Sequence, residues 1–175
     1  VYLNFGIQKP YKGLDFCRQV FGRFKPDDIY FFTIGKFVSP KSIGAYKFWG
    51  YQLNARISSI LKVDLMRNAK MIDRNVKQQE IGKIFAASDV VFLGHQDGLN
   101  SGILSLAASY SKPIVFPNLG NFKDHLRGWN WSEMYEAANV ESAVESLDRM
   151  HRRILPNPPG NMCFPNHEWL KLDSS

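Results

Sequence analysis

The stretch DVVFLGHQDGLNSGILSLAASYSKPIVFP, residues 89 to 117, decides how the chain folds. It opens on DVVFLG (89–94), a β-branched run with no apolar–polar alternation, the pattern of a strand buried on both faces. A small polar loop containing glycine follows. From about Ser101 to Ser111 the chain is helical and apolar again, and PIVFP (113–117) is a second continuous apolar strand. Strand, loop, helix and strand in this order make a βαβ crossover, which pairs its strands in parallel. The loop HQDGLNSG leaves the first strand where a helix begins. Backbone N–H groups there lack intrahelical partners and attract anions.

The same alternation extends in both directions. VYLNF (1–5) is a strand ending at Gly6, and GLDFCRQVFGRF (13–24) repeats Leu14, Cys17, Val20–Phe21 and Phe24 at helical spacing. DIYFFTIG (28–35) is a buried-strand candidate that leads through Ser39-Pro40 into a long helix with Tyr46, Trp49, Leu53, Ile57 and Ile60 on one face. KVDLM (62–66) is a third strand candidate. VKQQEIGKIFAAS (76–88) is an amphipathic helix through Ile81, Ile84 and Phe85, NLGNFKDHL a turn and short helix, and SEMYEA (132–137) a last edge strand. ESAVESLDRM sets Val140, Ala143–Val144, Leu147 and Met150 on one helical face. The expected fold is therefore α/β, a Rossmann-like parallel sheet with helices on both faces. Ligands of such sheets bind at the carboxyl ends of the strands. One domain is expected over residues 1–155, with the Pro- and Gly-rich PNPPGNMCFPN opening a linker and terminal segment over 156–175.

Composition narrows the class. At 175 residues, 45% hydrophobic and 22% charged, the chain has the balance of a globular domain, and no apolar run reaches the roughly 20 residues of a membrane helix. The formal charge of +6 suits acidic partners. Lysines and arginines are scattered and no nucleic-acid motif is present, which argues against a nucleic-acid partner. Cys17 and Cys163 have neither CxxC spacing nor the density of a disulfide scaffold, as in a reducing compartment. The chain starts at Val1 within a strand, and so reads as part of something longer.

Two loops carry candidate chemistry. In GIQKPYKGLD (6–15), Gly6 lets a ligand approach the backbone, and Lys9 and Lys12 bracket a Pro–Tyr pair just before a helix starts at Gly13. In the second loop Leu99, Asn100, Ser101 and Gly102 start a helix, with Asn100 or Ser101 as N-cap. His95 follows the strand directly. The plain alternatives are solvated lysines and a cap that binds nothing. His125, His151 and His167 lack metal-ligand spacing and no Asp-x-Asp occurs, so no metal is expected. Trp49, Trp129 and Trp131 read as packing or interface residues.

FG-x-x-x-x-YKGLD, AASDVVFL (86–93), LNSG and SKPIVFPNLG (111–120), in this order and spacing, resemble the carboxyl-terminal domain of GT-B glycosyltransferases, close to glycosyltransferase family 4, over about residues 1 to 150. The resemblance implies a nucleotide-sugar donor with no cofactor beside it. Its diphosphate would be held by Gly6, Lys12 and the Asn100, Ser101 and Gly102 turn. The family's arginine position is Ile7 here, so Lys9 would supply the second cation from a shifted place. Two family glutamates fall on Gly98 and Leu106, which leaves Asp97 as the nearest carboxylate and ribose recognition unassigned. His95 and Asp97 are the donor-sugar candidates, and Met71 and Ile72 the base-binding ones. The resemblance further implies hexosyl transfer to a glycan or lipid-linked acceptor in polysaccharide or glycoconjugate synthesis. An amino-terminal domain absent from this chain would bind that acceptor. The setting would be cytoplasmic, extending to peripheral association with the cytoplasmic membrane face, and this stretch alone would be inactive. A noncatalytic nucleotide-binding or regulatory α/β module is the alternative. The first strand ends Asn-Phe-Gly, without the acidic pair that a receiver domain needs.

Overall fold

The computed structural model describes residues 1–24, 29–36 and 69–156. The helix expected around Tyr46 to Ile60, the strand expected at 62–66 and the terminal segment from 157 lie outside the described residues. Among those described, the elements run β1 (Tyr2–Phe5), a 3-10 turn (Pro10–Lys12), α1 (Leu14–Arg23), β2 (Phe31–Gly35), β3 (Ala69–Asp73), α2 (Gln78–Ala86), β4 (Val90–Phe92), α3 (Gly102–Ser109), β5 (Ile114–Pro117), α4 (Phe122–His125), β6 (Ser132–Tyr135) and α5 (Val140–Ile154).

The six strands form one sheet in the order β3-β2-β1-β4-β5-β6. Every pairing is parallel. Tyr2 stands between Phe31 and Val90, and Ile114 between Val91 and Ser132. Successive strand residues point to opposite faces, and each face is covered. Tyr2, Phe31, Val90, Phe92 and Val115 pack with Phe16, Cys17, Val20 and Phe21 of α1 and with Ala143, Leu147 and Met150 of α5. Leu3, Phe5, Ile34, Val91, Ile114 and Phe116 pack with Phe85 of α2, Leu104 and Ala107 of α3, and Phe122. Two buried faces explain why VVF and IVF show no alternation.

The chain runs outward from β1 through β2 to β3, then returns across the sheet to start again at β4. Between β1 and β4 the direction of winding reverses, so the segments leaving these two strands part toward opposite faces: α1 goes to one, α3 to the other. The carboxyl ends of these two strands mark the crevice position at which a sheet of this order usually holds its ligand. The expected fold is thus the observed one.

β3 was not among the expected strands. Its AKMID pattern is partly exposed along its whole length, as befits an edge strand, and carries no continuous apolar signal.

Candidate functional site

The first loop is shaped by two close backbone approaches. Gly6 ends β1 with φ 103°, and its N–H donates to Ile34 O at 3.0 Å. Gly13, in the left-handed region with φ 62° and ψ 45°, caps α1. A β-carbon at Gly13 would fall 2.1 Å from Gly94 O, so a larger residue would push the two loops apart. Gln96 N–H donates to Tyr11 O at 2.7 Å and binds the loop after β4 to the loop after β1.

From the end of the 3-10 turn, Lys12 folds back over Gly6. A β-carbon at Gly6 would lie 3.2 Å from Lys12 Nζ and 3.1 Å from Ile103 Cδ1. The ammonium, the Gly6 backbone and the first turn of α3 therefore meet at one place. Burial first, and the charge of Lys9 second, lower the pKa of Lys12. A partly desolvated cation close to a helix N-terminus is an arrangement that favours an anion. Lys9 is exposed at the periphery, with Nζ 6.0 Å from the centre of the Tyr11 ring.

On the second loop, Ser101 is the N-cap of α3, its Oγ accepting from Ile103 N–H at 3.4 Å. Asn100 and Gly102 are exposed. His95 is only 4% exposed and stands between two rings, with centroids 5.8 Å away at Tyr11 and 5.7 Å at Phe122. Burial, and after it the charge of Lys12, push its pKa down to about 4. The imidazole is therefore neutral near pH 7, and among the described residues its Nδ1 has no partner. Asp97 turns outward and accepts from Gly98 N–H at 2.7 Å.

Of the candidate residues, the fold gathers Gly6, Lys12, Ser101 and Gly102, with His95 beneath Tyr11. Lys9, Asp97 and Asn100 stand at the rim. Met71 and Ile72 are adjacent in β3 and so face opposite ways: Met71 Sδ lies 3.8 Å from Arg18 Nη2, while Ile72 joins the core on the α3 side. Leu106, at one of the family's glutamate positions, packs into that same core. Among the described residues no group of three or more His, Cys, Asp and Glu can hold a metal ion.

Sequence reasoning passed over a buried polar chain below the first loop. Asn4 Nδ2 donates to Cys17 Sγ at 3.0 Å, and Gln8 Nε2 donates to Asn4 Oδ1 at 3.4 Å and to Gly6 O at 3.0 Å. Burial raises the pKa of the Cys17 thiol to about 12, so it stays protonated. A lone Gln between Ile and Lys gives no sequence signal of burial.

No family model and no curated protein matches the sequence. Solved structures match the fold. A trehalose-phosphate synthase (UDP-forming) from Burkholderia vietnamiensis superposes with a TM-score of 0.70 at 14% identity, over 90% of this chain and 38% of that one. Anabaena HepE in complex with UDP and glucose gives 0.66 at 14%, over 90% and 40%. An E. coli trehalose-6-phosphate structure bound with UDP-2-fluoro glucose gives 0.63 at 16%, over 86% and 36%. The chain thus spans between a third and two fifths of the length of these structures. The likeness supports no particular family within the GT-B class. What it establishes is that these residues have the Rossmann-like fold found in part of GT-B glycosyltransferases.

Proposed function

We propose that the chain is the donor-binding domain of a glycosyltransferase and holds a nucleoside-diphosphate sugar at the carboxyl edge of its sheet. One observation carries this reading: Lys12 Nζ and the start of α3 converge on Gly6 at the point where the sheet's winding reverses. The diphosphate would lie against Lys12, the Gly6 backbone and the amides at Ser101 and Gly102, with Lys9 adding charge from the rim. When the sugar leaves, negative charge grows on that diphosphate, and fixed cations and amides stabilise it without reorganising. His95 is neutral, so its ring would hydrogen-bond a sugar hydroxyl rather than deliver a proton at pH 7.

Uracil is the favoured base, since HepE is seen with UDP and the E. coli structure with a UDP-sugar. A glycan or lipid-linked acceptor would be held by a second domain, and these 175 residues alone would bind donor without turnover. No helix among the described residues is long and apolar enough to cross a membrane. The cytoplasmic setting, a contribution to polysaccharide synthesis and membership close to family 4 remain part of this proposal. Calorimetric titration of UDP, GDP and ADP into the chain tests it. The expected result is saturable binding with UDP tightest, and absence of binding by all three would favour a regulatory module.

A further inference from the structure

The Gly6 carbonyl is turned away from the crevice. It packs on the end of β2, where a β-carbon at Gly35 would fall 1.8 Å from the oxygen, and it accepts Gln8 Nε2 at 3.0 Å. The Gly6–Ile7 peptide is trans, and a trans peptide directs its N–H opposite to its C=O. Since β1 lies between β2 and β4, Ile7 N–H points from the β2 side toward β4, into the crevice over which Lys12 folds. No described residue accepts a hydrogen bond from it.

Two backbone bonds to the β2 side, Gly6 N–H to Ile34 O at 3.0 Å and Gln8 N–H to Lys36 O at 2.8 Å, flank this peptide, and the Gln8 side chain adds the bond to the Gly6 carbonyl itself. Gln8 is 5% exposed, and its amide nitrogen joins Gly6 O to Asn4, which is tied in turn to Cys17 of α1. The arrangement leaves Gln8 Oε1 buried without a partner among the described residues. An unpaired buried acceptor opposes stability. Packing alone would be served as well by an apolar side chain of the same length. What an apolar side chain lacks is the donor that pins the Gly6 carbonyl inward.

Resting on the donor reading, we propose that Ile7 N–H is a ligand of the diphosphate beside Lys12, and that Gln8 is the positioning residue that presents it. The group recognised is the phosphate shared by a nucleoside diphosphate and inorganic pyrophosphate, so both probes engage the same amide. The sugar and base make no difference to this contact.

The test is amide NMR of the nitrogen-15-labelled chain titrated with UDP and, separately, with inorganic pyrophosphate. The Ile7 resonance shifts with both probes, together with those of Gly102 and Ile103. Gln8→Met folds with an unchanged circular dichroism spectrum, binds UDP about tenfold more weakly through loss of one charge-assisted hydrogen bond, and loses the Ile7 response. A purely structural role for Gln8 would change thermal stability and leave the Ile7 response in place. Shifts at Gly102 and Ile103 with Ile7 silent overturn the inference while sparing the donor reading, and this outcome is read on the wild type without any variant. Silence at all three amides with both probes removes the donor reading and the inference with it.

Discussion

Replacing Lys12 by Ala removes the cation that, among the described residues, the fold brings over Gly6 and the start of α3. Two unit charges about 4 Å apart attract by roughly 4 kcal/mol at an effective dielectric near 20. Most of that is offset by the desolvation that already lowers the pKa of Lys12, and charge-assisted hydrogen bonds contribute about 1.5–3 kcal/mol net. The expected loss of UDP affinity is therefore about ten- to hundredfold, toward the lower end because the ammonium is only partly buried. Lys9→Ala, at the exposed rim, should cost less, and Lys83→Ala, exposed on α2, nothing measurable. The assay is calorimetric titration of UDP at fixed salt into wild type and the three variants, each checked for folding by circular dichroism. A second readout needs no ligand. The charge of Lys12 helps hold His95 down, so in Lys12→Ala the His95 pKa should rise, although burial, the larger cause, keeps it below the ordinary value. Equal UDP affinity in wild type and Lys12→Ala would take the first loop out of the donor site. An unmoved His95 titration would contradict the electrostatic contact itself.

His95 makes stability depend on acid. Its folded pKa of about 4 lies below the unfolded value, so the unfolded chain takes up the proton first, and stability is lost as pH falls from about 6.5 toward 4 at no more than about 1.4 kcal/mol per pH unit. Urea midpoints across that range should show a slope that His95→Asn reduces, and an identical slope in the variant would assign it to other groups. Leu104→Ala and Leu147→Ala, on opposite faces of the sheet, should each cost about 2–5 kcal/mol and combine additively in the double variant; strong coupling in denaturant melts would argue against two separate cores. Gly13→Ala should cost more than about 1 kcal/mol, because the left-handed backbone is strained for alanine and its β-carbon would meet Gly94 O. A melting curve like that of the wild type would show that the two loops are not pressed together there.

The residues of DVVFLG and PIVFP determine, without further help, that two strands buried on both faces flank a helix. VYLNF and the apolar face of residues 140–150 are equally plain, because burial of a strand or a helix face imposes a local period that the chain displays directly. The glycines and lysines of the first loop, and the Ser101 cap, were legible for the same local reason. β3 was not. At an edge, packing demands less, so AKMID carries little pattern although it completes a ladder with β2. Nor does any local signal say that β1 pairs with β4, some 90 residues onward, in preference to β3. Strand order follows from which crossovers let both faces be covered, a property of the whole sheet. That order sets Lys12 beside the start of α3, encloses His95 between Tyr11 and Phe122, and turns Gly6 O toward β2. The side chains proposed to meet a phosphate are thus written locally, and whether they stand together is decided by long-range packing alone.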